Sequence, residues 1–270
     1  MQVVNAKGFK IPIIGLGTWA LRDVARIVEQ AIRVGYRHLD TAQMYGNEAE
    51  VGQGVRASGV PRAEVMITTK LQPTHLAPPD VERTAKESLG KLRLDVIDLL
   101  LIHWPNPRVP LGETLGAMAK LKREGYVRAI GVSNFTVALL DEANKVSPEP
   151  VVCNQIECHP FLNQDKVIAG CKKHGMAVVA YSPVARGAAH GNEVLARIGK
   201  AHGKTDAQVS LRYLVQQGIV VIPRTNRLDR LSENFDLFDF ELSKEEMQEI
   251  YRLAHAKGRI VDWTWSPKWD

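Results

Sequence analysis

The sequence predicts an α/β fold, and the architecture we expect is a (β/α)8 TIM barrel with an N-terminal β-hairpin as a cap. Two observations indicate strand–helix units: eight short apolar runs, and amphipathic stretches between them. A third is the start, residues 2–12, which reads as a hairpin around the turn Asn-Ala-Lys-Gly. A barrel of this kind takes about 250 residues, and the chain has 270. A doubly wound open sheet has the same alternation, so the number of units alone does not decide between the two folds.

The candidate strands are short, apolar and rich in β-branched residues, as expected for strands buried on both faces. They cover residues 11–17, 36–40, 65–70, 96–103, 127–133, 151–157, 177–182 and 219–224. The stretch 22–35 predicts a helix because Val24, Ile27, Val28, Ala31 and Ile32 recur at helical spacing. Similar stretches cover 81–92, 112–125 and 163–175, and several end at glycine, a common helix terminator. No linker or repeat interrupts the chain, so we expect a single domain over residues 1–270.

Composition and charge exclude several classes of protein. The chain is 45% hydrophobic and 24% charged, the balance of an ordinary globular protein. No apolar run approaches the roughly 20 residues of a membrane span, and the start lacks the apolar core of a secretory leader. We therefore expect a cytoplasmic protein with no membrane partner. The net charge of +5 is scattered along the chain, whereas nucleic-acid-binding proteins concentrate basic residues on one face, so no nucleic-acid partner is expected.

The sequence contains no pattern that predicts a metal site. The three cysteines, Cys153, Cys158 and Cys171, do not form a CxxC pair. Histidine and carboxylate residues also lack metal-ligand spacing, so we expect no metal.

A glycine motif in the first unit suggests a competing interpretation. Residues 15–20, GLGTWA, match the G-x-G-x-x-A pattern between a strand and a helix, and Asp40 follows at the end of the next strand. This is the context of a Rossmann dinucleotide site, in which Asp40 would hold a ribose. Alternatively, Gly15 and Gly17 serve a tight loop of a barrel, and Asp40 takes part in the chemistry.

Polar residues follow the apolar runs in a way that favours the barrel alternative. Active sites of such barrels lie at the carboxyl ends of the strands. Asp40 and Tyr45 follow the second run, and Lys70 and His103 end the third and fourth. Ser133, Asn134, Asn154, Gln155 and Glu157 occupy the same place on the fifth and sixth. One site would then bring an aspartate, a tyrosine, a lysine and a histidine together.

Such a set suits the reduction of a carbonyl group, because the oxygen must gain a proton as the carbon accepts hydride. The reference pKa of tyrosine is about 10, which makes it a weak acid. The ammonium group of Lys70 would lower the pKa of Tyr45, and Asp40 would hold Lys70 in place. His103 could donate a hydrogen bond that polarises and orients the carbonyl. Each residue alone also has an ordinary structural explanation, such as a helix cap or a surface position.

Several longer motifs resemble those of the aldo-keto reductases. Residues 35–52, GYRHLDTAQMYGNEAEVG, are similar to the first signature of that family. The further matches LIHWP, GVSNF, NQIECHPF, YSP, IPRTN and ENFDLFDFEL begin at residues 101, 131, 154, 181, 222 and 233. They follow the family's order from Gly15 to about Leu242.

The resemblance implies a role for each matching residue. Asp40, Tyr45, Lys70 and His103 correspond to the catalytic tetrad, with Tyr45 as the proton donor. Trp19, Tyr45, His103 and Trp104 correspond to the residues that line the carbonyl pocket. The cofactor is expected to be NADPH, with nicotinamide contacts from Ser133, Asn134 and Gln155 and stacking by Tyr181. The remaining cofactor contacts are expected from Gly17, Thr18, Asp40, Ser182, Pro183, Arg224, Thr225, Asn226, Arg230, Glu233 and Asn234.

The segment 223–234 predicts an anion site on its own chemistry. It places Arg224, Arg227 and Arg230 with Thr225 just before a short helix. Arginine presents paired donors to phosphate oxygens, and a helix start favours anions. A basic surface turn is the alternative. In the aldo-keto reductases this segment binds the 2′-phosphate and adenine of NADPH.

Three segments are shorter than in the larger animal relatives: the loop after His103, the loop after Tyr181 and the carboxyl tail. In this they resemble the bacterial 2,5-diketo-D-gluconate reductase group. We therefore expect an open pocket, NADPH-dependent reduction of small aldehydes, ketoaldehydes or keto sugars to alcohols, and a monomer. Two alternatives are a cofactor-binding, redox-sensing regulatory subunit of the same fold and a Rossmann-type dehydrogenase.

Overall fold

The first element of the structure, a computed structural model that describes residues 2–270, is an antiparallel hairpin. Strand β1 (Val3–Ala6) pairs with β2 (Phe9–Pro12). The two residues between them, Lys7 and Gly8, both have positive φ angles, 51° and 85°. This is the backbone of a two-residue type I′ turn, whose twist matches that of the strands. The turn therefore centres on Lys7 and Gly8, one residue later than the sequence pattern indicated.

Eight parallel strands follow, and each pairs with its neighbours in sequence order. They are β3 (Leu16–Gly17), β4 (His38–Asp40), β5 (Met66–Leu71), β6 (Ile97–Ile102), β7 (Val127–Ser133), β8 (Val151–Glu157), β9 (Ala177–Tyr181) and β10 (Val220–Val221).

The ends of this sheet meet and close it into a barrel. Ile14, just before β3, forms a parallel bridge with Val221 of β10. The amide of Gly15 donates to the carbonyl of Val221 at 2.9 Å, and the amide of Val221 donates to Ile13 at 2.9 Å. A doubly wound sheet would instead reverse its strand order at a switch point. The (β/α)8 prediction is therefore confirmed, and the Rossmann alternative is wrong.

Helices cover the outside of the barrel. They are α1 (Val24–Val34), α2 (Glu48–Ala57), α3 (Pro78–Leu92), α4 (Leu111–Arg123), α5 (Val137–Val146), α6 (Asp165–Lys173), α7 (Glu193–His202), α8 (Asp206–Val215), α9 (Asp229–Phe235) and α10 (Lys244–Tyr251). Helix α1 buries the face that its sequence predicted and ends at Gly35, whose φ is 128°.

The hairpin closes one end of the barrel. Ala6 and Ile11 are fully buried and pack with Met66, Leu99 and Val220 in the apolar cluster inside the ring. Met66 and Val220 begin their strands, so this cluster fills the amino end. The predicted cap is present, and the carboxyl ends of the strands face the opposite side. None of the helices within residues 2–270 is long and apolar enough to cross a membrane.

Candidate active site

Strands β4 and β5 place an ion pair inside the barrel near its carboxyl end. The ammonium group of Lys70 donates to the Asp40 carboxylate at 2.5 Å and to the carbonyl oxygen of Thr41 at 2.9 Å. The amide group of Gln155 donates to the other Asp40 oxygen at 2.7 Å. Lys70 and Asp40 are almost completely enclosed, so each charge depends on these partners rather than on water.

Tyr45 comes next to this pair through a short 3-10 turn, Gln43–Tyr45, that follows β4. The ammonium group of Lys70 donates to the Tyr45 hydroxyl at 3.3 Å. The ring of Tyr45 stands edge-on to the His103 imidazole, with 5.6 Å between ring centroids. The four residues predicted to meet at the strand ends therefore lie together.

Burial and charge act in opposite directions on Tyr45. Burial raises the pKa of its phenol, and the Lys70 ammonium lowers it. The net pKa is higher than the ordinary value, so the effect expected of Lys70 is present but is outweighed. Burial lowers the pKa of Lys70, but Asp40 and Tyr45 together raise it by more. The net pKa of Lys70 is therefore above its ordinary value. At neutral pH the pair is thus a protonated phenol beside an ammonium ion.

His103, directly after β6, is a neutral imidazole in the site. Burial, followed by the nearby Lys70 charge, lowers the pKa of His103 well below its ordinary value. Its Nδ1 is buried without a hydrogen-bond partner. A buried N–H group without an acceptor is costly, so the geometry favours a proton on Nε2. His103 lines the cavity described next and can donate to a group bound there.

A cavity of about 630 Å³ opens at the carboxyl end of the barrel. Most residues predicted for the site line it. They are Gly17, Thr18, Trp19, Asp40, Tyr45, His103, Trp104, Asn134, Gln155, Tyr181, Ser182, Pro183, Arg224, Thr225, Asn226 and Arg230. Lys70 lies behind Tyr45 and Asp40 and does not line the cavity.

Three residues of the predicted cofactor set do not line the cavity. Ser133 is buried and donates its hydroxyl to the carbonyl of Gln155 at 2.8 Å. Glu233 accepts a hydrogen bond from the Thr205 hydroxyl at 2.9 Å, and Asn234 is buried in α9. Their roles toward a cofactor remain predictions.

The amide of Asn134 is held by protein groups. It donates to the carbonyl of His103 at 3.0 Å and to the Ser133 hydroxyl at 3.1 Å, and its oxygen accepts from Tyr181 at 2.8 Å. Asn134 has a φ of 62°, a left-handed backbone that asparagine tolerates. A carboxamide that binds to Asn134 would replace one of these hydrogen bonds.

One region of the cavity is strongly basic. Arg186, Arg224, Arg227 and Arg230 all line it. The guanidinium groups of Arg186 and Arg224 both lie over the ring of Trp19, 4.9 and 5.2 Å from its centroid. Burial and then the charge of Arg186 lower the pKa of Arg224, so a bound anion would relieve an unfavourable concentration of charge.

Sequence reasoning missed Arg186 and His190, which lie in the loop after β9. His190 contacts Asp206 at 3.0 Å and Arg230 at 3.4 Å. The only sequence signal is that Arg186 is a basic residue soon after Tyr181. It belongs to none of the motifs quoted above, so nothing in the sequence links it to the cavity.

The carboxyl tail supplies aromatic walls at the mouth of the pocket. Trp263 and Trp265 line the cavity and are about half exposed. The Trp265 ring stands edge-on to Trp104 with 5.0 Å between centroids, and Trp269 approaches Trp104 to 6.1 Å.

The two glycines of the competing motif pack inside the barrel. A Cβ atom on Gly15 would lie 2.6 Å from Nδ1 of His38, and one on Gly17 would lie 2.8 Å from the carbonyl oxygen of Ile222. Close packing within the ring therefore accounts for both glycines. No group of three or more potential metal ligands occurs within residues 2–270.

A closed barrel that holds a tyrosine, a lysine and a histidine beside a cavity with a basic region defines a class of barrel oxidoreductase. A family model described as the aldo/keto reductase family matches residues 13–255. The chain belongs to this family, which confirms the resemblance seen in its motifs.

Named relatives agree with this assignment. The chain is 41% identical over 265 residues to methylglyoxal reductase DkgB of Escherichia coli O157:H7, covering 96% of this chain and 99% of the relative. It is 41% identical over 249 residues to a glyoxal reductase of Bacillus subtilis, covering 91% and 90% of the two chains.

Solved structures share the whole fold. One, provisionally described as a 2,5-diketo-D-gluconic acid reductase B, superposes with a TM-score of 0.98 at 44% identity and covers 100% of this chain and 98% of its own. An aldo-keto reductase of Bombyx mori in complex with NADP gives a TM-score of 0.90 at 36% identity, covering 97% and 95%.

Proposed function

We propose that this protein reduces small aldehydes, ketoaldehydes or keto sugars to alcohols with NADPH, and that Tyr45 donates the proton. The observation that carries the proposal is the contact between the Tyr45 hydroxyl and the Lys70 ammonium group. Tyr45 and His103 line the same cavity and lie next to each other. The named relatives are reductases, which favours an enzyme over a regulatory subunit.

The residues around the cavity fit NADPH. Its phosphate groups suit the arginine-rich region, where Arg224 and Arg230 follow the predicted pattern and Arg186 adds a further charge. Tyr181 offers a ring surface for the nicotinamide, and Asn134 and Gln155 offer amides to its carboxamide. When bound, NADPH supplies the hydride.

The protein's own residues then handle the carbonyl oxygen. The neutral His103 donates an Nε2–H hydrogen bond to this oxygen, which polarises and orients the C=O bond. As that bond becomes single, the phenol of Tyr45 gives its proton to the oxygen, and the alcohol forms. The resulting phenolate is stabilised by the Lys70 ammonium, which Asp40 keeps in place, and it regains a proton from water.

The pocket suits small or flat carbonyl compounds. Trp19 and Trp104 form walls, and the tail tryptophans extend them toward the solvent. The relatives' names contain methylglyoxal, glyoxal and 2,5-diketo-D-gluconic acid. Each of these compounds carries two neighbouring or nearby oxygenated carbons, and they are the first candidate substrates for this chain.

A substrate panel followed by NADPH absorbance, repeated with NADH, tests the proposal. Turnover should be fastest with small ketoaldehydes. Tyr45→Phe should lower kcat by about 10²- to 10⁴-fold, because it removes the proton donor, and should leave NADPH affinity within about twofold. NADPH binding without turnover of any carbonyl would instead support the regulatory alternative.

The protein is further proposed to act as a single-domain monomer in the cytoplasm. Its three cysteines are free and buried, which suits a reducing compartment. Light scattering coupled to size-exclusion chromatography tests the oligomeric state, and a mass of twice the chain would refute it.

A further inference from the structure

The last residue of β8, Glu157, is a buried acid outside the proposed chemistry. Its side chain is fully enclosed and does not line the cavity. Both of its oxygens accept hydrogen bonds from the carboxyl tail: the amide of Ile260 donates at 2.7 Å and the amide of Val261 at 2.8 Å. His159 contacts the first oxygen at 2.9 Å.

A buried carboxylate needs donors for both oxygens, and here two of the three come from the tail backbone. The tail passes very close to the loop after β8 before it reaches Glu157. A Cβ atom on Gly258 would lie 1.8 Å from the carbonyl oxygen of Phe161, so only glycine fits this crossing. The amide of His255 also donates to that oxygen, at 3.2 Å.

The aromatic wall, formed by Trp263 and Trp265, begins directly after the two tail residues that Glu157 holds. Val261 itself lines the cavity, and Trp263 and Trp265 follow within four residues. Their rings stack nearly parallel, with centroids 6.2 Å apart. The end of the tail is held as well, because Asp270 accepts from the amide of Val137 at 3.0 Å. Glu157 is thus the buried anchor nearest to the wall.

We propose that Glu157 is a positioning residue that fixes the tail and thereby sets the aromatic wall of the substrate pocket, so that it determines affinity for carbonyl compounds with an aryl group. This role rests on the proposed reductase function, but the anchoring itself does not. Glu157 acts only through the tail, since its enclosed side chain cannot touch a substrate in the cavity.

Glu157→Gln keeps the shape of the side chain but presents an N–H group to one of the two tail amides. That amide loses its acceptor, and the tail should open more often. Hydrogen exchange measured by mass spectrometry on the full chain should show about tenfold faster exchange in peptides covering 258–263. Exchange in strand β6 should not change. The matched control is Glu142→Gln, an exposed glutamate of α5.

Two substrates with the same reacting group then test the wall. Methylglyoxal and phenylglyoxal differ only by a methyl and a phenyl substituent. In Glu157→Gln the KM for phenylglyoxal should rise about fivefold or more, while its kcat and the KM for methylglyoxal stay within about twofold.

Trp265→Ala supplies an independent variant, because an exposed side chain can be removed without unfolding the barrel. It should raise the KM for phenylglyoxal to a similar extent, and the double variant should be no worse than either single one. Additive effects would overturn action through the wall.

The outcomes separate the anchor from the proposed function. Unchanged exchange in 258–263 would overturn the anchor, whether or not the protein turns over any carbonyl. Fast exchange with unchanged KM for phenylglyoxal would overturn the specificity role. Absence of turnover with every carbonyl in wild-type protein would overturn the reductase function and with it the substrate preference, and would leave the anchoring result standing.

Discussion

The ammonium group of Lys70 lies 3.3 Å from the hydroxyl oxygen of Tyr45, and Lys70 is completely shielded from water. Its positive charge is also bound to Asp40, which is nearly as enclosed. The same pair therefore bears on the chemistry proposed for Tyr45 and on the stability of the barrel.

Lys70→Met should destabilise the protein strongly, because it leaves the buried Asp40 charge without its main partner. Removing one member of a buried ion pair costs about 3–5 kcal/mol of unfolding free energy. The double variant Asp40→Asn/Lys70→Met should be less destabilised than the sum of the two single variants, by about 1–3 kcal/mol. Urea denaturation measures all three, and simple additivity would contradict the coupling.

Acid should destabilise the fold through its buried histidines. Burial lowers the pKa of His38 from 6.5 to about 4, and the pKa of His103 is lowered too. The unfolded chain therefore binds these protons more tightly than the folded chain does. Stability should be highest above pH 6.5 and should fall as the pH drops toward 4, by about 3 kcal/mol for His38 alone.

Urea titrations at a series of pH values test this dependence. His38→Gln should flatten the slope between pH 6.5 and 4, because glutamine does not titrate, while the polar contact with the Thr68 hydroxyl can be kept. An unchanged slope in this variant would assign the acid sensitivity to other groups.

Arg230→Ala should weaken the binding of NADPH much more than that of NADH. A hydrogen bond to a charged group contributes about 1.5–3 kcal/mol, which corresponds to a loss of roughly 10- to 100-fold in affinity. Titration of intrinsic tryptophan fluorescence with each cofactor gives both Kd values. Arg26→Ala, on the outer face of α1, is the control. An equal loss for both cofactors would count against a 2′-phosphate contact.

Gly15→Ala should lower stability without a specific loss of cofactor affinity. The added methyl group would overlap the buried ring of His38, and overpacking of this kind costs about 1–3 kcal/mol. A binding titration of the folded fraction should give a Kd close to that of wild type. A large increase in Kd with normal stability would point back to a dinucleotide site at this glycine.

The sequence predicts the number and positions of the barrel strands better than their lengths. Eight buried runs were recognisable because strands inside a ring of helices are apolar on both faces. The first and last ladders are nevertheless short, since β3 and β10 each contribute two residues and the ring closes through Ile14. Nothing in the local pattern of 11–17 reports a partner so distant in sequence.

The site was predictable where residues end a strand, and not where a loop delivers them. Asp40 and Lys70 were predictable because each ends an apolar run, and the carboxyl ends of barrel strands meet at one site. Arg186 lies in a loop whose course depends on tertiary contacts. The motif GLGTWA is compatible with both folds, and only the strand order decides between them. The part of Glu157 in holding the tail had no sequence signal, because its partners are backbone amides.

Closure of the ring through Ile14 and Val221 joins segments about two hundred residues apart. A nascent chain leaving the ribosome therefore cannot complete the barrel until β10 has been synthesised, and contacts of such long separation form slowly. During that interval the edges of the growing sheet are open, and the arginines after β10 have not yet been translated. The basic region of the cavity and, after it, the tail tryptophans that line its mouth are therefore the last parts of the site to be synthesised.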